Sequence, residues 1–474
     1  MDPARRRAPT EALELAESAV DDEPDLWRLG VGRLGQFTRY AEKVFTLTRR
    51  LSHVNDRRRK PGTPASTLAL AVFYTGLLRI RSFNALEPKL SERPFLHLMD
   101  EPQGRQSLGC VDTVSRSLCV MDLDTVRRVS IGIVQHAERN KVFREGWHGA
   151  LRYVAIDGWE PFSSAERHCD QCLIRHVNRK DSKGEPFVAE EYFHRYVVAM
   201  LIGPEFDLAL DIEPLRTKET RPPRVPKAGK NRGKSLPREE DEGELTAATR
   251  LIRRVKETYG WIDVVVADAL YANGPFLTTL KDLALGGVIV VRKDADEPLK
   301  AALRVWGELP AQQEFDDEKR KEHIELWDIV GLETLSTYDG PIRVVRGRVT
   351  NPNAPKLTTK TWCLLVAGKA TRLTARKALE VVRARWHIEN TGFHQWTTRW
   401  KLNHVFVHDG DGVLALYWLF FAAFNVLTFF LYRQLRSYGR ARGKDVTRTI
   451  SRLVDEMQDD LARLGGSAPR PDSS

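Results

Sequence analysis

Apolar positions change rhythm along the chain. From about residue 26 to 146 they recur at three- and four-residue spacing, which predicts several short helices. STLALAVFYTGLLRI (66–80) is apolar on every side, and VDTVSRSLCVMDLDTVRRVSIGIVQHAERNKVF (111–143) carries an amphipathic stripe. Strands follow. LRYVAID (151–157) reads as a short strand ending in aspartate, and YFHRYVVAMLIG (192–203) with FDLALDIEP (206–214) as a hairpin turning at Gly-Pro. A helix over 242–260 leads into the buried strand WIDVVVADA (261–269). Helix GPFLTTLKDLAL and strand GVIVVRK come next, then strands IELWDIV, PIRVVRGRV and TWCLLVA, and a helix over 371–393.

This alternation predicts an α/β fold, a mixed sheet flanked by helices, preceded by a helical domain. The expected organisation is a disordered tail (1–25), a helical N-terminal domain suited to DNA binding (26–146), and a core in two pieces (147–293 and 371–435). Residues 294–370 form a β-rich insertion, and 436–474 a polar C-terminal tail. Within the core, 216–241 is rich in Pro, Gly, Lys and Arg and reads as a mobile basic loop. No internal repeat is visible.

VLALYWLFFAAFNVLTFFLY (413–432) is twenty residues without a charge, long enough to cross a bilayer, and Arg433 and Arg436 follow it. It is the only such segment and ends a largely polar chain. A helix apolar all round also fits the core of a large protein, which is the reading favoured here; membrane association is not expected.

Net charge is +10 and the pI about 9.3, which favours a polyanionic partner. The basic cluster RRLSHVNDRRRK (49–60) suits phosphate contacts as well as a solvated face. Five scattered cysteines make no disulfide framework, and the N-terminal stretch lacks the apolar region of a secretory signal, so a reducing cytoplasm is expected.

RARWHIENTGFHQWTTRWKLNH (383–404) holds a single carboxylate, Glu389, among three tryptophans, three histidines and four Arg or Lys. Two strands end in acids, Asp157 and Asp268. Either aspartate alone is explained by capping or turn formation. Three acids on strand, strand and helix are the parts needed to hold two hard cations through oxygen. Arg385 and Phe393 lie one turn either side of Glu389 and share its face. The tryptophans suit core packing and also stacking on an unpaired base.

The motifs AIDGWEPFSS, ADALYAN and RARWHIENTGF, with NALEPKL and DTVSRSL nearer the N-terminus, resemble those of bacterial insertion-sequence transposases of the DDE superfamily. The similarity runs from about residue 80 to 430. It implies an RNase H-like core with a β-strand insertion before the catalytic glutamate, which accounts for the 121 residues between Asp268 and Glu389. Asp157, Asp268 and Glu389 would be catalytic residues and ligands of Mg²⁺, with Mn²⁺ able to substitute. In the family's Tyr–Arg–Glu–Lys signature, Arg385 matches the arginine, Val382 stands at the tyrosine, and the lysine is absent around Trp396 and Thr397. Arg399 or Lys401 would then take over its phosphate contact, alongside Arg385. The implied chemistry is hydrolysis at transposon ends, freeing a 3′-hydroxyl that attacks target DNA. The implied partners are double-stranded DNA, ends and target, and a second copy in a homodimer on DNA, with no small-molecule substrate. An inactive DNA-binding relic and an RNase H-like nuclease without strand transfer share these motifs.

HCDQC places Cys169 and Cys172 at the spacing of half a zinc site, with His168, His176 and His194 nearby. Structural Zn²⁺ and reduced thiols in a loop both fit one such pair.

Overall fold

The computed structural model describes residues 32–99, 105–143, 151–180, 182–223, 235–292, 297–307, 309–351, 358–435 and 446–464. The 1–25 tail and the centre of the 216–241 loop lie outside them. The chain divides into two compact units, one of residues 137–394 and one of residues up to 136 together with 395 onward.

The 137–394 unit is built on a nine-stranded sheet. Its strands are β1 (Tyr153–Trp159), β5 (Tyr196–Ile202), β6 (Leu208–Pro214), β7 (Val264–Ala267), β8 (Gly286–Val290), β9 (Gln313–Asp317), β10 (Glu322–Leu332), β11 (Ile342–Asn351) and β12 (Thr358–Ala367). They lie in the order β6-β5-β1-β7-β8-β12-β11-β10-β9. β5 runs antiparallel to β1 and β6 antiparallel to β5, whereas β7 and β8 run parallel to β1. Those five strands form the mixed sheet that the sequence reading places in the core. YVVAMLI of β5 and VVVA of β7 are buried throughout, as continuous apolar runs must be when both faces of a sheet are covered. Helix Glu244–Thr258 packs on β5 and β6, and helix Ala375–Ala384 packs across β7, β8 and β10–β12.

The strands of the 294–370 insertion continue this sheet, because β12 pairs antiparallel with β8. A second, three-stranded sheet, β2 (Ser163–Ser164), β4 (Pro186–Phe193) and β3 (Leu173–Lys180), is absent from the sequence expectation. Its strands are mostly half-buried or exposed, so they lack the apolar alternation that marks a strand.

The other unit is helical. Helix Gly410–Phe429 is buried along its length and packs on helices Ala65–Leu77 and Val111–Cys119. The sequence reading placed residues up to 435 with the catalytic core; from 395 they group instead with the N-terminal helices, which supply the apolar surface this helix needs. The polar tail also departs from expectation. Val446–Leu464 is an amphipathic helix burying Ile450, Leu453, Val454, Met457 and Leu461 against its neighbours. It packs on helix Gly32–Phe45, and Asp460 accepts hydrogen bonds from the backbone N–H groups of Arg33 and Leu34.

Candidate active site

β1 carries Asp157 at its C-terminal end, followed by Gly158 and Trp159. Alternation along the strand puts Asp157 and Trp159 on one face. Asp268 follows β7, the parallel neighbour of β1, and caps a short turn by accepting the Leu270 N–H at 2.9 Å. Its capping role and a ligand role are compatible, since a carboxylate has several acceptor positions.

Glu389 does not sit on a regular helix. The α-helix ends at Ala384, and Ile388–Phe393 winds as a π-helix before α-helix His394–Thr398 resumes. Asn390, Thr391 and Gly392 are weak helix formers, which permits the wider turn, and such π-segments are frequent at functional sites. Arg385 sits at the join. Its guanidinium reaches Asp157 Oδ2 at 2.9 Å and Glu389 Oε1 at 2.8 Å, so one cation bridges both carboxylates. Arg385 is buried there, ion-paired within the acid cluster instead of being presented to solvent as a phosphate contact would be.

Asp157 records its burial beside the other charges. Burial pushes its carboxyl up from the ordinary range to about 6; Arg385 and the Gly158 N–H oppose the rise, while Asp268 and Glu389 add to it. All three sequence-nominated acids therefore act on one neighbourhood. Burial also holds the Tyr271 hydroxyl far above its ordinary range, with Glu244, Asp157 and Asp268 adding to the effect.

Several contacts here escaped the sequence reading. Trp159 and Phe393 stack nearly parallel, 5.6 Å apart at 5°, joining the strand of Asp157 to the segment of Glu389. The Tyr271 hydroxyl donates to Glu244 at 2.8 Å, and Glu244 pairs with Arg195 at 2.7 Å. Glu244 lies so close to β1 that a Cβ at Gly158 would meet its Oε2 at 2.3 Å, so a side chain there would displace the Glu244 carboxylate from its partners. His387 pairs with buried Asp207 at 3.0 Å, tying the π-segment to the start of β6. The signal for Trp159 and Tyr271 was present, since both fall inside the acidic motifs; their pairings are long-range and left no local trace.

The remaining nominated residues lie elsewhere. Arg399, exposed, and Lys401, half-buried, belong to the helical unit. Trp396 and Trp400 are buried there against Phe421 and Phe424, which makes them packing residues; Trp386, in the 137–394 unit, is 44% exposed. Cys169 and Cys172, which share no disulfide, lie in the turn leading into β3 with sulfurs 3.7 Å apart.

Residues 235–426 match the family described as "Transposase DDE domain", a stretch that contains Asp268 and Glu389 and begins after Asp157. No curated protein matches the chain. Among solved structures, the chain is similar to a cryo-EM structure of a piggyBac transposase synaptic complex with hairpin DNA, at 12% identity and a TM-score of 0.38. That match covers 96% of this chain and 84% of the other, a likeness too loose to carry an argument about mechanism.

Proposed function

We propose that this chain, whose residues 235–426 match a transposase DDE domain, is a DNA transposase that cuts at insertion-sequence ends and joins the freed 3′-hydroxyl to target DNA. The observation that carries the reading is the convergence of Asp157, Asp268 and Glu389 from two adjacent parallel strands and a π-segment, two of them bridged by Arg385.

The donor set fits hard divalent cations. It is all oxygen, and burial, helped by the charges of Asp268 and Glu389, raises Asp157 to about 6 despite the Arg385 guanidinium beside it. Asp157, Asp268 and Glu389 would hold Mg²⁺, or Mn²⁺ in its place. When bound, such ions activate an attacking oxygen and stabilise the leaving one in phosphoryl transfer. The protein's own part is placement. Arg385 turns the Asp157 and Glu389 carboxylates toward one another and offsets part of their repulsion. The Trp159–Phe393 stack fixes the spacing between strand and π-segment, and His387–Asp207 fixes the orientation of that segment. The surplus of cationic side chains supplies attraction to double-stranded DNA, and pairing two ends calls for a homodimer on DNA. A cytoplasmic location follows from the same reading.

The test is Mg²⁺- or Mn²⁺-dependent cutting of DNA bearing the gene's own flanking sequences, comparing wild type with Glu389→Gln. Loss of cutting in the variant, with strand transfer by wild type, supports the transposase. Cutting without joining would leave a nuclease, and binding without cutting the inactive relic. Equal cutting by both proteins would remove Glu389 from the site.

A further inference from the structure

The cysteine pair of HCDQC lies outside the segment that matches the DDE domain, and DNA chemistry makes no use of it. Within the 137–394 unit the pair has a third member. His194 Nε2 is 3.4 Å from Cys169 Sγ and 3.5 Å from Cys172 Sγ, while the two sulfurs are 3.7 Å apart. We propose that Cys169, Cys172 and His194 bind a zinc ion that fastens the base of the β2–β4–β3 sheet to the strand beside β1.

The three separations discriminate between the states open to such a group. A disulfide would bring the sulfurs to about 2.05 Å, far shorter than observed. Tetrahedral zinc, with Zn–S about 2.3 Å and Zn–N about 2.0–2.1 Å, requires ligand–ligand edges of about 3.8 Å between sulfurs and about 3.6 Å from sulfur to nitrogen. The observed edges fall within about 0.2 Å of those values, the tolerance expected of a formed site. The surroundings agree. His194 is 5% exposed and flanked by the rings of Phe162 and Tyr196, so its imidazole is held in place. The turn closes with the Cys172 N–H donating to the Cys169 carbonyl at 3.0 Å, and the Cys169 N–H donates to Cys172 Sγ at 3.3 Å, which holds the two sulfurs on one side of the turn. Of the other two nearby histidines, His168 stacks on Tyr192 and His176 is exposed on β3. Proximity in sequence could not choose among the three.

Zinc is the ion this set selects. Two thiolates and an imidazole are soft to borderline donors, which separates the site chemically from the all-oxygen acid cluster. A fourth ligand, water or another side chain, completes the tetrahedron. The position explains why the fold would need a metal there. Cys169 and Cys172 lie between β2 and β3, and His194 lies in the short link from β4 to β5. β5 in turn pairs with β1, the strand of Asp157. The small sheet buries little, with Ile174 52%, Phe187 47% and Val188 64% exposed. A sheet with so thin a core gains its order from a cross-link.

The experiment uses the full-length wild-type protein purified under reducing conditions without added zinc and dialysed against Mg²⁺ buffer. Elemental analysis is expected to find one zinc per chain. Replacement by Co²⁺ is expected to give the thiolate-to-metal absorption that oxygen ligands do not produce. Asp157→Asn and His176→Ala should keep that absorption; Cys172→Ser should lose it and His194→Ala should weaken it. Wild-type protein with reduced thiols that retains no zinc and develops no such absorption would overturn the proposal, as would a Cys169–Cys172 disulfide found by mass spectrometry. Neither outcome depends on DNA cutting, so the zinc site and the transposase reading can fail separately.

Discussion

At the scale of single residues, the acid cluster is a place where stability has been given up. Asp157 keeps its proton up to about pH 6, whereas an unperturbed aspartate releases it near 3.8. Between those values the folded chain holds more protons than the unfolded chain. Stability therefore falls as pH rises through that window, and the penalty is complete above it. Asp157→Asn removes the charge and keeps the shape. In chelator, the variant is expected to exceed wild type in stability at pH 8 by about 1–3 kcal/mol, with the gap closing by pH 4. Urea denaturation at the two pH values measures this. A constant gap would mean that the fold does not hold the Asp157 carboxyl above its ordinary range. Added Mg²⁺ should stabilise wild type more than the variant, because binding favours the fold that presents all three ligands.

At the scale of elements, the active constellation depends on how one strand meets one irregular helix. The Trp159–Phe393 stack sets that meeting. Trp159→Ala is expected to slow cutting by about two orders of magnitude, since a displacement near 1 Å at reacting groups has that effect. Trp159→Phe, which keeps a ring, should retain most activity. Equal rates in the two variants would show that the stack does not position Glu389. A second element-scale contact joins distant parts of the chain. Asp460 caps the helix that begins at Gly32, and Asp460→Ala should cost about 1 kcal/mol, read as a lower urea midpoint with unchanged slope.

What the sequence disclosed follows the same division. β1, β5, β7 and β8 were legible as near-continuous apolar runs, and β6 and β10–β12 as apolar stretches broken by polar residues. The three acids were nominated through their motifs, whereas the strand order that sets the ends of β1 and β7 side by side was not read from the sequence. The β2–β4–β3 sheet was not legible, because its strands are polar and short of burial. The helix 446–464 was missed although Ile450, Leu453, Val454, Met457 and Leu461 keep helical spacing; its charged composition outweighed the stripe. The π-segment left no periodic mark, since one wide turn alters the phase only after Glu389.

At the scale of the whole molecule, the apolar segment after residue 410 decides which solvent the chain is made for. By length and composition helix Gly410–Gln434 could cross a membrane, yet its most apolar stretch is wholly buried inside the protein. Its neighbours are built for it. The Phe420 ring lies where a Cβ on Gly76 would approach within 3.0 Å, so helix Ala65–Leu77 has a glycine at the contact. A membrane span would meet lipid there and would tolerate a larger residue. Gly76→Val is therefore expected to destabilise the helical unit by about 1–3 kcal/mol through overpacking, and Phe420→Ala by about 3–5 kcal/mol through the cavity it leaves. Both would lower the unfolding temperature of protein prepared without detergent, and the full-length chain should stay in the supernatant after high-speed centrifugation. Recovery of the chain only with detergent, together with indifference to Gly76→Val, would make the segment an anchor. Otherwise the twenty uncharged residues are the core around which the N-terminal and C-terminal helices assemble.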